Sequence, residues 1–250
     1  MREKGFSVIA SKAKQSRCGQ RNRARREVAS SRDPAPRNDT ALWTIVPVRG
    51  LATGKSRLAP VLDAAERAAL NRELLMRTLA VVGDWCGAPQ RCIVVSPCAR
   101  ALALARAAGA TPVREGARAV GLNRAVRLGV ARAAAQGARH VLILPGDLPH
   151  VGTDALSALA HAAVRERHVV LAPDKSGTGT NALLIGVDTR FAFEFGAASF
   201  AAHQAAAQRA GLTLSVVRRA DLEYDLDTPE DLAACPGTAN IAILKPGEAR

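Results

Sequence analysis

Three aspartates have the residue type and spacing needed to bind a divalent metal ion. Asp147 follows the unbroken apolar run 141–144 after a Pro-Gly pair, and Asp225 and Asp227 are two residues apart. In an extended segment this spacing places both carboxylates on one side. Facing carboxylates repel each other unless a cation neutralises them, and Mg²⁺ prefers such oxygen ligands. The alternative is that Asp147 and Asp227 form a turn or cap a helix, with Asp225 solvated.

A glycine-bearing loop after the first predicted strand, Trp43–Pro47, carries several cations. It contains Gly54, Lys55 and Arg57, and it resembles a phosphate-binding P-loop. That motif needs four residues between its first glycine and the Gly-Lys pair, whereas three separate Gly50 from Gly54, so we reject it. Small residues still let backbone amides approach a phosphate, and the two cations supply charge. Taken alone, the loop fits a phosphate site or a solvated basic turn equally well.

Two later segments offer small polar groups to an anion. Residues 174–181 contain two glycines and two threonines, one of which is Thr180, and Gly196 and Ser199 precede a predicted helix. Hydroxyls, backbone amides and a helix N-terminus all suit an anionic oxygen. The simpler interpretations are a hairpin loop for the first segment and a helix N-cap for Ser199.

Strands and helices are predicted to alternate along the chain, which favours an α/β fold with a mainly parallel sheet. Asp63 and Glu66 form the pattern of a capping box at the start of a helix that reaches Val82. Thr153 is expected to cap the helix after Asp147, which itself would lie at the carboxyl end of a central strand. The other predicted strands are 92–95, 111–113, 141–144, 169–173, 182–187 and 212–217, and the other predicted helices are 99–108, 121–136, 153–165, 196–210 and one that begins at 228.

The positive charge of the chain is concentrated near its start. The formal net charge is +13, and residues 1–40 hold eleven Lys and Arg against four Asp and Glu. This segment has almost no apolar pattern and is predicted to be a disordered basic tail. A start codon assigned too far upstream or a solvated arm is preferred over a targeting or RNA-binding segment. Residues 41–235 are predicted to form a single domain, and residues 236–250 a loose C-terminal tail.

Composition narrows the functional classes. No apolar run follows the basic residues as a secretory signal requires, and none is long enough to span a membrane. The five cysteines lack zinc-ligand spacing, so reduced thiols in a cytoplasmic protein are expected. Aromatic residues make up 3% of the chain, which leaves little for stacking nucleic-acid bases. A nucleic-acid partner is therefore not expected, and neither is a membrane.

Taken in order, these segments resemble the guanylyltransferases of coenzyme F-420 (deazaflavin) biosynthesis. That family joins GTP to 2-phospho-L-lactate, phosphoenolpyruvate or 3-phosphoglycerate. The resemblance covers 43–232, and the matching segments are 46–48, 54–60, 121–123, 144–149, 177–183, 195–196, 199–200 and 225–232. The loop departs from the family pattern at Arg49, where a lysine is common, and at Gly54 before Lys55.

The resemblance implies a three-layer α/β/α nucleotidyltransferase fold of the nucleotide-diphospho-sugar transferase type, with a mainly parallel mixed sheet. It also implies a catalytic set of Lys55, Arg57 and Asp147 and a Mg²⁺ ion on Asp147, Asp225 and Asp227. The phospho-acid would be held by Thr180, Gly196 and Ser199, and the nucleotide by Gly54, Lys55, Gly121 and Asn123. Lys55 and Arg57 would face the triphosphate of GTP.

The reaction implied is attack by a phosphate oxygen of the acid on the α-phosphorus of GTP, with release of pyrophosphate. The expected partners are thus GTP and a small phosphorylated acid, and a homodimer is left open. One alternative is a molybdenum-cofactor-type nucleotidyltransferase with a larger acceptor. The alternative from another class is a basic, non-catalytic RNA-binding protein.

Overall fold

Seven strands form one mixed sheet with helices on both faces. The computed structural model describes residues 41–116, 121–163 and 167–235, so the predicted tails 1–40 and 236–250 lie outside the described residues. The strands are β1 Leu42–Pro47, β2 Cys92–Ser96, β3 Thr111–Arg114, β4 His140–Ile143, β5 His168–Pro173, β6 Thr180–Gly186 and β7 Thr213–Val216. The helices are α1 Ala64–Cys86, α2 Ala99–Ala107, α3 Leu122–Ala135, α4 Thr153–Ala162, α5 Ser199–Arg209, α6 Ala220–Glu223 and α7 Pro229–Ala234, with 3₁₀ turns at Ser56–Leu58 and Pro89–Arg91.

The strand order is β3-β2-β1-β4-β6-β5-β7. β1 pairs in parallel with both β2 and β4, whereas β6 runs antiparallel to β4 and β5. Ile143, the last residue of β4, lies opposite Leu183, the middle residue of β6, and the first half of β6 extends beyond the end of β4. The first residue of β6, Thr180, is therefore at the same edge of the sheet as Asp147, which follows β4. The predicted mainly parallel, mixed sheet is confirmed.

Each face of the sheet has its own apolar core, because successive strand residues point to opposite faces. Val46 and Leu142 pack with the buried side chains of α1, α2 and α4. Their neighbours Ile45 and Val141 pack with those of α3 and α5 on the other face. The central strands are buried on both faces, as the unbroken apolar runs indicated. The predicted three-layer α/β/α arrangement is confirmed.

The first residues of α1 and α4 can be compared with the N-caps predicted from the sequence. The capping box of Asp63 and Glu66 is present at the start of α1. The prediction for Thr153 is wrong: Gly152 is the N-cap of α4 in an extended conformation, and Thr153 is already the first helical residue. α4 ends at Ala162, before the predicted end at 165, and residues 164–166 lie outside the described part of the chain. No helix in the described residues is long and apolar enough to cross a membrane.

A third, smaller apolar cluster lies beside the sheet and fixes two loops. Leu58 of the 3₁₀ turn and Leu226 are fully buried there against Leu70 and Leu74 of α1. The cluster thereby anchors the loop that carries Lys55 and the segment that carries Asp225 and Asp227. Burial of Leu226 between its two aspartate neighbours also confirms the alternation predicted from their spacing.

Candidate active site

A cavity of about 350 Å³ opens at the carboxyl ends of β1 and β4. β2 and β3 follow β1 on one side of it in the sheet, whereas β4 pairs with β1 on its other side. Open α/β sheets bind ligands at the point where the strand order reverses in this way. Five of the predicted site residues line the cavity: Gly54, Lys55, Gly121, Asp147 and Asp227. The structure thus brings together parts of the chain that are far apart in sequence.

Lys55 is the central cation of this cavity. Its side chain is only 4% exposed, and Nζ lies 3.5 Å from Oδ2 of Asp147 and 3.2 Å from Oδ1 of Asp227. Nζ also donates a hydrogen bond to the carbonyl oxygen of Leu226 at 2.5 Å. One ammonium therefore joins the loop after β1, the loop after β4 and the segment before α7.

The backbone at Lys55 is in the left-handed region, with φ at 57°. Such a conformation costs a residue with a Cβ about 1–2 kcal/mol and is retained where the surrounding structure requires it. At the preceding residue, Gly54, a Cβ would lie 2.9 Å from Nδ2 of Asn71 and 3.2 Å from the carbonyl oxygen of Gly50, so a larger residue would displace the Asn71 side chain. The left-handed backbone of Lys55 and the glycine before it thus accompany the placement of the Lys55 ammonium in the cavity.

Arg57 does not share the site with Lys55. Lys55 lines the cavity and Leu58 is fully buried in the third apolar cluster, whereas Arg57 is exposed and does not line the cavity. The structure does not support the expectation that Arg57 faces the same phosphates as Lys55.

The three predicted metal ligands are near one another but do not form a ready metal centre. Burial, together with the charges of Asp147 and Asp227, raises the pKa of Asp225 from 3.8 to about 6. No group of three or more His, Cys, Asp or Glu in residues 41–116, 121–163 and 167–235 is arranged to hold a metal ion. The Lys55 ammonium lies against two of these carboxylates, and a metal site on Asp147, Asp225 and Asp227 stays a prediction.

The residues predicted to hold the phospho-acid form a second cluster at the start of α5. Thr180 and Ser199 are buried, and the hydroxyl oxygen of Thr180 lies 3.0 Å from Nδ1 of His203, one turn after Ser199. The backbone N–H of Ser199 donates to the carbonyl oxygen of Gly196, whose φ of +143° favours glycine. Ser199 is not the N-cap, because Ala198 occupies that position.

Backbone and side-chain hydrogen bonds join this cluster to the segment that carries the aspartates. Nδ2 of Asn181, next to Thr180 in β6, donates to the carbonyl oxygen of Leu222. The N–H of Leu226 in turn donates to the carbonyl oxygen of Asp147 at 3.4 Å. The Thr180 cluster and the Lys55 cavity are therefore two parts of one edge of the sheet.

Asn123 has a different position from the one expected of a nucleotide ligand. Its Oδ1 accepts a hydrogen bond from the N–H of Phe195, and its Nδ2 donates to the Phe195 carbonyl oxygen. It does not line the cavity, although Gly121 and Leu122 do. Asn123 instead connects the start of α3 to the 191–198 loop, which precedes α5 and contains Gly196.

Sequence reasoning missed three polar residues at this edge. Glu115 is 4% exposed, lines the cavity and accepts a hydrogen bond from the N–H of Gly121. Asn71 donates from Nδ2 to the carbonyl oxygen of Leu51 in the cation-bearing loop. His203 is fully buried beside Thr180. Glu115 could have been selected from the sequence because it follows a predicted strand. Asn71 and His203 lie within predicted helices, where the sequence pattern does not mark a residue as part of a site.

Comparison with solved structures places this fold among the nucleotidyltransferases of the nucleotide-diphospho-sugar type. A nucleotidyl transferase from Methanothermobacter thermautotroptrophicus matches 81% of this chain and 100% of its own at 16% identity, with a TM-score of 0.59. A chain from Desulfovibrio desulfuricans G20 assigned to the nucleotide-diphospho-sugar transferases matches 77% of this chain and 84% of its own at 14% identity, with a TM-score of 0.61.

Sequence relatives then identify the family. The phosphoenolpyruvate guanylyltransferase of Rubrobacter xylanophilus is 37% identical over 201 residues, covering 80% of this chain and 96% of its own. The 3-phospho-D-glycerate guanylyltransferase of Phenylobacterium zucineum is 41% identical over 189 residues, covering 75% and 86%. The model of the guanylyl transferase CofC-like family matches residues 42–235. The chain belongs to this family of nucleotidyltransferases, which sets aside both the molybdenum-cofactor and the RNA-binding alternatives.

Proposed function

We propose that this protein transfers GMP from GTP to the phosphate of a small three-carbon phospho-acid, with release of pyrophosphate, in coenzyme F-420 biosynthesis. The candidate acids are phosphoenolpyruvate, 3-phospho-D-glycerate and 2-phospho-L-lactate. The observation that carries the proposal is the meeting of Lys55, Asp147 and Asp227 in the cavity beside β1 and β4. Relatives named as guanylyltransferases for the first two acids support it.

The chemistry requires little proton transfer. Near neutral pH the phosphate of the acid is already an anion, so attack on the α-phosphorus of GTP needs no general base. The difficulty is to bring two anions together and to stabilise the leaving pyrophosphate. In the proposal Lys55 supplies positive charge for that leaving group, while Gly54 and Gly121 line the nucleotide side of the cavity.

The carboxylates also fit a hard divalent ion. The pKa of Asp225 is raised because the carboxyl is partly buried and faces the carboxylates of Asp147 and Asp227. A bound cation would offset this excess of negative charge. Asp147, Asp225 and Asp227 would hold Mg²⁺ when the phosphates of GTP complete the ligand set. The ion would neutralise charge on the reacting phosphates.

Thr180, Gly196 and Ser199 are proposed to bind the acid. Support comes from their positions around the first turn of α5: Gly196 precedes the helix and Ser199 begins it. Thr180 of β6 contacts His203 one turn later. Buried hydroxyls and a helix N-terminus suit an anion. The cluster is joined to the aspartate segment through Asn181, so an acid held there would lie at the edge of the sheet where Asp147 is found.

The test is a product assay with the purified full chain. GTP and Mg²⁺ are combined with each acid in turn, and the products are weighed by mass spectrometry while pyrophosphate is quantified. We expect one acid to yield an adduct of the acid and GMP with an equal amount of pyrophosphate. Replacing GTP by CTP, or using Asp147→Asn, should abolish the adduct. Absence of an adduct with all three acids would refute the proposal.

A further inference from the structure

His203 is a buried histidine that the proposed reaction does not use directly. It lies on α5 one turn after Ser199, and its side chain is fully buried. The rings of Phe191 and Phe195 pack against it at centroid distances of 5.8 Å and 4.6 Å. Burial lowers the pKa of His203 from 6.5 to about 4, so the imidazole is neutral at neutral pH.

The hydrogen bonds of this ring assign its tautomer. The backbone N–H of Glu194 donates to Nε2 at 3.0 Å, so Nε2 carries no proton. A neutral imidazole has one N–H, which must then be on Nδ1. Nδ1 lies 3.0 Å from the hydroxyl oxygen of Thr180 and is therefore the donor in that pair. The proton of the Thr180 hydroxyl consequently points away from the imidazole and is available to another acceptor.

We propose that His203 is a positioning residue for the phospho-acid, which orients the Thr180 hydroxyl as a donor toward an anionic oxygen of that substrate. This inference rests on the proposed function, because it takes Thr180 as part of the acid site. The Nε2 side of the ring contributes separately: it holds the N–H of Glu194 and with it the 191–198 loop that carries Gly196. One side chain thus supports two of the three acid-binding residues.

Two amide variants distinguish the roles of the two ring nitrogens of His203. In His203→Asn the side-chain NH₂ lies near the position of Nδ1 and can still donate to Thr180. In His203→Gln the amide oxygen reaches toward the position of Nε2 and can accept from Glu194, but the donor to Thr180 is lost. We expect His203→Gln to raise the KM for the acid by roughly 3- to 10-fold, the size of one hydrogen bond, with little change in the KM for GTP. His203→Asn keeps the donor to Thr180 and loses only the acceptor for the Glu194 N–H, so its rise in the KM for the acid should be smaller than that of His203→Gln.

A double variant tests whether the effect passes through Thr180. In a Thr180→Val background there is no hydroxyl to orient, so His203→Gln should produce no further rise in the KM for the acid. An equal rise with and without the hydroxyl, or an equal loss for both substrates, would overturn the positioning role and leave His203 as a packing residue.

A measurement on the parent protein separates this inference from the proposed function. Nitrogen-15 NMR of the full chain reports which ring nitrogen of His203 carries the proton at neutral pH. Protonated Nδ1 in an enzyme that forms the adduct is the expected result. Protonated Nε2 in an active enzyme overturns the inference alone, whereas a parent that forms no adduct with any acid overturns the proposed function.

Discussion

Nζ of Lys55 lies 3.2 Å from Oδ1 of Asp227, although 172 positions separate the two residues in the chain. The side chain of Lys55 is 4% exposed and that of Asp227 is 39% exposed, so the pair lies at the inner end of an open cavity. Asp147 at 3.5 Å is the second carboxylate on the same ammonium. One buried ammonium therefore offsets part of the negative charge at the place where a triphosphate would approach.

Removing this cation should impair the use of GTP. Lys55→Met deletes the ammonium but keeps an unbranched side chain, and we expect kcat/KM for GTP to fall by about 10- to 150-fold. This corresponds to about 1.5–3 kcal/mol for a charge-assisted contact. The matched control is Arg57→Met, which removes an exposed cation outside the cavity and should change kcat/KM by less than about threefold. Equal effects of the two variants in steady-state assays would indicate that the loop is a solvated basic turn and not a phosphate-binding loop.

The three aspartates should respond differently to loss of charge. With a chelator present, Asp225→Asn should raise the melting temperature, because it removes a half-buried charge that two other carboxylates repel. Asp147→Asn and Asp227→Asn should not share this gain, since each loses an ion pair with Lys55. All three should lose most turnover, and the exposed Asp188→Asn should lose none. If Asp225→Asn and Asp227→Asn worked at the magnesium concentration of the parent, no shared metal site would exist.

The buried His203 and the half-buried Asp225 should give opposite pH dependences of stability in the metal-free protein. His203, with its pKa lowered from 6.5 to about 4, binds fewer protons when folded, so its contribution to the free energy of unfolding rises with pH between these values. Asp225, with its pKa raised from 3.8 to about 6, binds more protons when folded, so its contribution falls with rising pH. Relative to the parent, Asp225→Asn should therefore gain stability as pH rises from 4.5 to 6.5, and His203→Gln should lose it. Urea unfolding in the presence of a chelator measures both differences, and parallel curves for all three proteins would contradict the prediction.

Substitution of two asparagines should affect the KM values of different substrates. Asn71 holds the carbonyl oxygen of Leu51 beside Gly54, whereas Asn123 holds both backbone groups of Phe195 in the 191–198 loop. We expect Asn71→Ala to raise the KM for GTP and Asn123→Ala to raise the KM for the acid, each by roughly 3- to 10-fold for lost backbone anchoring. A larger effect of Asn123→Ala on GTP would restore the nucleotide role predicted from the sequence.

Residues 1–40 are predicted to be dispensable. They have a polar, basic composition without apolar periodicity, and the family match begins at residue 42. A chain lacking them should keep its turnover and its melting temperature. A truncated protein that fails to fold, as judged by circular dichroism, would show that this segment is integral to the domain.

Local patterns in the sequence predicted most of the elements but not the direction of every strand. The capping box of Asp63 and Glu66 depends on residues three apart, so it could be identified without the fold. The apolar run of β6 carries no mark of its direction, because a strand buried on both faces has the same pattern either way. The antiparallel pairing that places Thr180 beside the end of β4 therefore emerged only from the structure.

The same distinction applies to the site. Aspartates after apolar runs could be selected by position, and their spacing correctly predicted that Leu226 would face inward. The contacts of Lys55 and Asn123 depend on loops that meet only in the folded chain, over separations of 171 and 72 residues. His203 lies in an alanine-rich helix, where a single histidine is as compatible with packing as with support of a substrate site.

The antiparallel strand β6 makes the acid side of the site nearly continuous in sequence. The residues proposed to contact the acid, and His203 that supports them, fall within 174–203, with Asn123 as an outlying support, whereas those lining the Lys55 cavity come mainly from 47–147. On the proposed assignment, we expect acceptor preference to change when this one short stretch is exchanged, while the residues of the Lys55 cavity stay the same. A chimera that takes 174–203 from a relative with a different acid should acquire that acid preference and keep its preference for GTP.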